Sequence, residues 1–146
     1  MAMCCTCKNC WISHPNDLMQ NLTPIEAHKF LQDNPEAVFI DVRSEMEYMF
    51  IGHPEGCIWI PWVDGPEWDL NPNFIAQVKK AASLNRPVVL ICRSGRRSMD
   101  AGIALEQAGL TDVYNVMHGF EGELDEHHHR NSCNGWRFDG LPWAQT

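Results

Sequence analysis

Residues 88–109, VVLICRSGRRSMDAGIALEQAG, carry the strongest fold signal in the chain, because an apolar run passes directly into a helical pattern. The run at 88–91 is apolar and mostly β-branched, which is typical of a strand buried on both faces. The helical part places Ala101 and Leu105 on one face, and Gly109 suits the left-handed position just beyond a helix. A strand that turns into a helix is the unit from which parallel α/β sheets are built.

The same alternation of strand and helix recurs on both sides of this unit. Residues 22–35, LTPIEAHKFLQDNP, predict a helix in which Thr23 is the N-cap and Glu26 completes a capping box. A second helix is predicted over residues 71–83, with Asn71 and the proline after it at the start. Apolar runs predict buried strands at residues 37–42, 57–62, 87–92 and 112–116. This order predicts an α/β fold with a parallel sheet.

The composition indicates one compact domain and excludes some classes of partner. The 146 residues are 45% apolar and include six Trp, which supports a real core. The net charge is −8, although Arg93, Arg96 and Arg97 make one short loop locally cationic. Nucleic acids and anionic membranes bind to broad basic faces, which an acidic chain lacks. We therefore expect no nucleic-acid or membrane partner, and the cationic loop favours a small anion.

Neither hydropathy nor the cysteines indicate export. No apolar run approaches the roughly 18 residues of a membrane-spanning helix, and the first 30 residues lack the apolar core of a signal peptide. The seven cysteines are odd in number and unevenly spaced, which does not suit a disulfide framework. We expect a cytoplasmic protein whose thiols are mostly reduced.

The cationic loop surrounds a thiol. Cys92 ends a predicted strand, and the next helix begins near Arg97, so residues 92–97 form a tight turn beneath a helix N-terminus. Backbone N–H groups and the helix dipole stabilise an anion there, and adjacent arginines favour ionisation of a thiol. Gly95 can adopt positive φ and let the loop amides curl toward the sulfur. We therefore expect Cys92 to be largely a thiolate at neutral pH.

Several stretches, in order along the chain, resemble the rhodanese family of sulfurtransferases. The loop CRSGRRS, residues 92–98, is similar to the active-site loop of that family. Residues 39–62, FIDVRSEMEYMFIGHPEGCIWIPW, resemble its Asp-Val-Arg, Glu-Tyr, Gly-His and Ile-Pro signature. Residues 113–122, VYNVMHGFEG, resemble its last strand and the turn that follows. The resemblance covers about residues 22–122, and residues 134–143, NGWRFDGLPW, are similar to a tail found in a bacterial single-domain branch.

The resemblance implies a doubly wound parallel sheet with helices on both faces. It divides the chain into a Cys-rich N-terminal tail at 1–20, a rhodanese-like domain at 21–122 and a C-terminal extension at 123–146 packed on the domain. It also implies a two-step reaction that uses no cofactor. Cys92 takes sulfur from thiosulfate or another small donor and holds it as a persulfide. Cyanide or a thiol acceptor, such as thioredoxin, glutathione or a sulfur-carrier protein, then removes that sulfur.

The loop residues have distinct expected roles in this reaction. Cys92 is the nucleophile, and covalent catalysis of this kind needs an ionised thiol. Arg93 and Arg96 are expected to meet the oxyanions of the donor, because the departing sulfite needs positive charge nearby. The loop amides are expected to stabilise the charge on the thiolate and persulfide. The expected substrate-binding set is Arg93, Ser94, Gly95, Arg96 and Arg97.

Four residues are expected to support the loop. Arg97 and Ser98, at its end, are expected to brace its shape and the start of the helix. Asp41 and Arg43 follow a strand end at the edge where open α/β sheets place ligands. The resemblance implies that this Asp and Arg order the neighbouring loops, and a plain turn cap is the alternative role for Asp41.

A phosphatase or arsenate reductase of the same fold is the first alternative function. In those enzymes five residues separate the Cys from the Arg, and the loop between them is wide enough to surround a phosphate-sized anion. Here four residues separate Cys92 from Arg97, and the shorter ring favours a single sulfur atom. The fold by itself does not decide between these chemistries.

A redox or metal-responsive interaction protein that uses the N-terminal cysteines is the second alternative. Cys4, Cys7 and Cys10 follow C-x-x-C-x-x-C spacing, with Cys5 among them. They could hold a metal or an iron–sulfur centre if a fourth ligand came from elsewhere, but no second pair follows at zinc-finger spacing. We expect no metal site. Cys133 could resolve the persulfide if it lay near the loop.

Overall fold

The computed structural model describes residues 19–83 and 85–145. The Cys-rich tail assigned to 1–20 lies outside this part of the chain except for its last two residues. The helical elements are α1 (Pro24–Asp33), a π-helical turn (Glu47–Ile51), α2 (Phe74–Ala82) and α3 (Arg96–Gln107). The strands are β1 (Gln20–Leu22), β2 (Val38–Asp41), β3 (His53–Pro54), β4 (Ile58–Trp59), β5 (Val63–Asp64), β6 (Asp69–Leu70), β7 (Val88–Ile91), β8 (Val113–Val116) and β9 (Trp143–Ala144). None of the described helices is long and apolar enough to cross a bilayer.

A five-stranded sheet with the order β1-β8-β7-β2-β4 forms the centre of the fold. Each neighbouring pair in it is parallel, which confirms the predicted α/β fold. In the register of β2 and β7, Val38 lies opposite Val88 and Asp41 lies opposite Ile91. The residues that follow these two strands therefore meet at one edge of the sheet, where ligands bind in open α/β folds.

Two apolar cores lie on opposite faces of the sheet. Val88 and Leu90 point into one core with Phe74 of α2 and Leu105 of α3. The alternate strand residues, Val89 and Ile91, belong to the other core, which includes Ala27 of α1. This alternation is the period of two expected of a strand, and it confirms that helices cover both faces.

The starts of α1 and α2 were predicted with different success. Thr23 caps α1 as predicted, because its Oγ1 accepts from the Glu26 amide at 3.2 Å and its own amide donates to Glu26 Oε1 at 2.9 Å. The prediction that α2 begins at Asn71 was wrong, since its N-cap is Asn73. Asn71 Oδ1 accepts from the Asn73 amide at 3.0 Å, so Asn71 closes a turn before the helix.

The strand predicted at 57–62 is shorter in the structure, where β4 spans Ile58–Trp59. β4 is an edge strand with β2 as its single neighbour, and Ile58 is 42% exposed. Beyond β4, hydrogen bonds still run to the last residue of β2 and to the residue after it, from the Ile60 amide to Asp41 O and from the Trp62 amide to Val42 O. The chain thus follows the sheet edge without regular pairing.

The closing part of the chain is ordered against the sheet without helices or strands between residues 117 and 142. Trp136 is 1% exposed, packs on the Phe39 ring with centroids 5.2 Å apart, and donates from Nε1 to Pro142 O at 2.8 Å. The following strand, β9, pairs antiparallel with β3. A large buried aromatic side chain therefore anchors the segment to the core.

Candidate active site

The loop between β7 and α3 places Cys92 at the base of a helix. Cys92 directly follows β7 and is 1% exposed. Gly95 is the N-cap of α3, with φ +102°, a conformation that favours glycine. A Cβ added at Gly95 would lie 3.3 Å from the backbone nitrogen of His118, so the close approach of the two segments also favours glycine. The sharp turn aims the start of α3 at the sulfur.

Two groups of this loop and helix contact the Cys92 sulfur. The Gly95 amide donates to Sγ at 3.1 Å, and Ser98 Oγ lies 3.2 Å from Sγ. Sequence reasoning expected several loop amides from Arg93 to Arg97 around the sulfur, and among these Gly95 is the one seen to donate to it. Ser98 was expected to brace the helix start, and the structure places its hydroxyl in contact with the sulfur.

Arg97 is held by a carboxylate from a distant segment. Its Nη1 and Nη2 donate to Glu47 Oε1 and Oε2 at 2.7 and 2.8 Å. Burial alone would raise the pKa of Glu47, but the hydrogen bonds and charge of Arg97 outweigh it and lower that pKa to about 2. Ser44 adds its hydroxyl to Glu47 Oε1 at 2.9 Å. This network fixes the position of Arg97 beside the loop.

Arg93 and Arg96 are exposed beside the same loop. Among the described residues, neither side chain has a hydrogen bond or an ion pair. A cleft of about 470 Å³ adjoins the loop. Its lining residues are Ser94, Gly95, Arg96, Met99, Asp100, Glu123, Leu124 and Arg130. The side chains of Arg93 and Arg96 are therefore available to an anion in solvent, and Arg96 lines the cleft.

Asp41 and Arg43 form a buried pair behind the site. Both side chains are fully buried, and Arg43 Nη2 donates to Asp41 Oδ2 at 2.6 Å. The same nitrogen donates to Gly52 O at 2.5 Å, and the guanidinium lies 4.5 Å from the centre of the Phe120 ring. These contacts tie the end of β2 to the segment after the π-helical turn. That the pair orders the neighbouring loops stays a prediction.

The other two described cysteines have different environments from Cys92. Cys57 Sγ donates to Pro54 O at 3.1 Å, and burial together with the charge of Asp41 raises the pKa of Cys57 to about 12. Cys133 is exposed, and its Sγ lies 3.6 Å from the carbonyl oxygen of Glu123, a residue of the cleft. The thiols of Cys4, Cys5, Cys7 and Cys10 lie outside the described residues.

Sequence reasoning assigned no role to two residues at the site, Glu47 and Asn115. Glu47 belongs to the Glu-Tyr motif of the family resemblance. A partly buried Arg97 needs a counter-ion, and that need is the signal that indicates a carboxylate partner such as Glu47. Asn115 is 1% exposed inside an otherwise apolar strand, β8, and its side chain contacts Ser98. A polar residue within a buried strand is the pattern that indicates such a partner.

Comparisons with known proteins match this chain over most of its length. The family model described as Rhodanese-like domain matches residues 23–125. The crystal structure of Rv0390 from M. tuberculosis is 41% identical with a TM-score of 0.78, and the match covers 87% of this chain and 98% of that one. The uncharacterized protein RC0915 of Rickettsia conorii is 29% identical over 130 residues, which covers 86% of this chain and 97% of that protein. The thiosulfate sulfurtransferase GlpE of Haemophilus influenzae is 24% identical over 103 residues, 70% of this chain and 86% of GlpE. Since the family model matches most of its length, the chain belongs to the rhodanese-like domain family.

Proposed function

We propose that this protein is a sulfurtransferase that moves a sulfane sulfur from thiosulfate or a similar donor to a thiol acceptor or cyanide through a persulfide on Cys92. The setting of the Cys92 sulfur carries the proposal. Sγ lies beneath the first turn of α3 and accepts from the Gly95 amide at 3.1 Å. A helix N-terminus and its free N–H groups stabilise an anion, so the site favours a thiolate nucleophile.

The first step forms a bond between Cys92 Sγ and the outer sulfur of thiosulfate. The S–S bond of thiosulfate breaks, and sulfite leaves with the electron pair of that bond. The negative charge of the thiolate passes to the outer sulfur of the new persulfide, so neither a proton nor an external electron is required. Arg93 and Arg96 are proposed to stabilise the oxyanions of the donor and of the departing sulfite.

The second step returns the enzyme to its starting state. The sulfur atom of an acceptor thiolate, or the carbon of cyanide, bonds to the outer sulfur of the persulfide. The bond between the two persulfide sulfurs breaks, and Cys92 departs with its electron pair as a thiolate. The products are a persulfide of the acceptor, or thiocyanate. Thioredoxin, glutathione and a sulfur-carrier protein are the proposed classes of acceptor, and the reaction is proposed to occur in the cytoplasm, where thiols stay reduced.

The proposed catalytic unit comprises residues 21–122, with the extension at 123–146 packed on it. Residues of the extension reach the cleft beside the loop, because Glu123, Leu124 and Arg130 line it. We propose that the cleft receives the donor or the acceptor next to Arg96. Arg130 Nη1 donates to Gly122 O at 2.7 Å, which holds this second cation at the wall of the cleft.

The length of the loop and the burial of Cys92 Sγ both favour transfer of a sulfur atom over transfer of a phosphoryl group. Four residues separate Cys92 from Arg97, and Arg97 is already bound to Glu47. Cys92 is 1% exposed, so the reacting atom that reaches it has to be narrow. A terminal sulfur meets that condition better than a phosphoryl group with three oxygens around it.

Steady-state assays with paired substrates test the proposal. The unaltered protein is expected to form thiocyanate from thiosulfate and cyanide, and Cys92→Ser is expected to reduce this at least about a thousandfold, as loss of a covalent nucleophile does. Cys133→Ser is the control and is expected to retain the activity. Hydrolysis of an aryl phosphate or reduction of arsenate, without thiocyanate formation, would instead identify the phosphatase-like alternative.

A further inference from the structure

A buried series of hydrogen bonds leads from the Cys92 sulfur to the first strand of the sheet. Ser98 Oγ lies 3.2 Å from Cys92 Sγ and 2.5 Å from Asn115 Oδ1. Asn115 Nδ2 donates to Asn21 Oδ1 at 2.9 Å and to Gly95 O at 3.3 Å. The first three residues of the series are each at most 1% exposed, so their polar atoms depend on one another for partners.

The backbone partner of Asn115 fixes the orientation of its amide. The Gly95 carbonyl oxygen can only accept, so the Asn115 nitrogen faces it and Oδ1 faces Ser98. Because Oδ1 carries no hydrogen, the Ser98 hydroxyl must supply the proton of the short contact between them. A serine hydroxyl has one proton. While that proton lies toward Asn115, Ser98 presents a lone pair to the Cys92 sulfur.

Ser98 therefore favours a different charge state of the sulfur in each of its two positions. A lone pair facing Sγ favours a protonated thiol, which can donate to it. A hydroxyl proton facing Sγ favours the thiolate, because a hydrogen bond to an ionised acceptor is stronger than one to a neutral acceptor. Turning the proton to sulfur leaves the buried Asn115 Oδ1 without a donor, which carries a free-energy cost.

We propose that Asn115 is a positioning residue that competes with Cys92 for the Ser98 proton, so that the proton faces sulfur in the thiolate and faces Asn115 in the persulfide. The second half of this inference rests on the proposed function. In the persulfide the negative charge lies on the outer sulfur, and Sγ, with two covalent bonds, no longer needs a donor. The Ser98 hydroxyl then turns back to Asn115, and no proton enters or leaves the cluster. Asn115 thus stabilises the persulfide relative to the free thiolate.

The charged groups around the cluster do not take part in this exchange. Arg97 on α3 acts electrostatically on Cys92 and is paired with Glu47, and Arg93 and Arg96 lie on the solvent side of the loop. None of these four charged residues is substituted in the variants that test the inference. A change in the amount of thiolate in those variants therefore reports the Ser98 proton.

Alkylation of Cys92 by iodoacetamide at mildly acidic pH measures the thiolate fraction without requiring sulfur transfer. Asn115→Leu removes the competing acceptor at similar side-chain length, and we expect Cys92 to react about fivefold faster, since a hydrogen bond is worth about 1 kcal/mol. In a Ser98→Ala background the same substitution is expected to have no effect. Asn21→Ala, which removes the other side-chain partner of Asn115, is the matched control and is expected to leave the rate unchanged.

Two results would overturn the inference: slower alkylation in Asn115→Leu, or an acceleration that persists in the Ser98→Ala background. Alkylation would be slower if the substitution loosened the loop, because the sulfur would then lose its hydrogen-bond donors.

A measurement on the unaltered protein tests the same inference if the Asn115→Leu variant does not fold. The side-chain amide signal of Asn115 in an NMR spectrum is expected to shift when thiosulfate converts the thiolate to persulfide. If the persulfide forms and the Asn115 signal does not move, the inference is contradicted. If no persulfide forms, the proposed function is contradicted, and the alkylation comparison then decides the role of Asn115.

Discussion

The guanidinium of Arg97 donates to both carboxylate oxygens of Glu47, at 2.7 and 2.8 Å, although the two residues lie 50 positions apart in the chain. The contact joins the π-helical turn to the first turn of α3, directly beside the Cys92 loop. A cation at a helix N-terminus opposes the helix dipole, and the carboxylate of Glu47 offsets that cost. The pair thus stabilises the cation at the start of α3, beside Cys92.

Replacing Glu47 is expected to weaken both stability and sulfur transfer. Glu47→Gln removes the negative charge and one oxygen acceptor, which leaves Arg97 half-buried and poorly paired. We expect a loss of about 2–3 kcal/mol in the free energy of unfolding, measured by denaturant titration, together with slower thiocyanate formation. Asp33→Asn, which breaks the exposed Lys29–Asp33 pair, is the control and is expected to cost less than about 0.5 kcal/mol. Equal effects of the two substitutions would contradict this role for Glu47.

Glu47 also predicts how stability depends on acid. Its pKa in the folded protein is lowered from 4.5 to about 2, so the unfolded chain binds the proton more tightly. The contribution of this carboxylate is therefore complete above about pH 4.5 and is lost as the pH falls toward 2. Denaturant titrations across this range are expected to show a decline of up to about 3 kcal/mol from this group. Glu47→Gln should lack that part of the decline, and an unchanged slope in the variant would contradict the prediction.

Two glycines with nearly the same φ allow the effect of the loop on sulfur transfer to be separated from its effect on stability. Gly95 and Gly109 have φ of +102° and +104°, and an added Cβ at Gly109 meets no atom within 4 Å. Alanine at either position is expected to cost about 1–2 kcal/mol in the free energy of unfolding. Gly95→Ala should in addition abolish most sulfur transfer, because the Cβ pushes the loop from His118 and displaces the amide that donates to sulfur. A fully active Gly95→Ala variant would show that this amide is dispensable.

The two exposed arginines are expected to affect the donor rather than the fold. Arg93→Gln and Arg96→Gln should each raise the KM for thiosulfate by about fivefold to tenfold and leave the thermal unfolding midpoint unchanged, as the loss of one charge-assisted contact does. Added salt should reduce the difference between variant and unaltered protein, because both arginines are open to solvent. Lys80→Gln, an exposed cation on α2, serves as the control. An equal rise in KM for that variant would mean that net charge, and not the loop, attracts the donor.

Cys57 is expected to stay unreactive at neutral pH. Burial and the nearby Asp41 raise its pKa to about 12, so its thiolate population is negligible. Peptide mapping after brief iodoacetamide treatment should find Cys92 labelled and Cys57 unmodified, whereas the same treatment in guanidinium should label both. Cys57→Ser should retain sulfur transfer. Rapid labelling of Cys57 in the folded protein would contradict the burial argument.

Much of the fold was predictable because its signals are local. The capping box of Thr23 and Glu26, the β-branched run before Cys92 and the glycine after α3 each lie within a few residues of the element they define. The short strands β1 and β9 were missed, since each is stabilised by pairing with a strand far away in the chain and has no period of its own. The start of α2 was misplaced because an asparagine can close a turn or cap a helix with the same side-chain bond.

The candidate site divides in the same way. The contiguous loop could be identified from the crowding of arginines around one cysteine. Its partners could not, because Glu47 reaches Arg97 across 50 positions and Asn115 reaches Ser98 across 17. Such contacts depend on strand order and register, which place β8 next to β7. Position in the fold assigns both residues to the site, Asn115 through the pairing of β8 with β7 and Glu47 through the π-helical turn that follows β2.

The most direct test is a mass spectrum of the intact protein after treatment with thiosulfate, followed by addition of a thiol acceptor. We expect a gain of one sulfur atom that maps to Cys92, is absent in Cys92→Ser, and disappears when the acceptor is added. A protein that gains no sulfur under these conditions, or gains it equally in Cys92→Ser, would contradict the proposal that this cysteine carries the transferred atom.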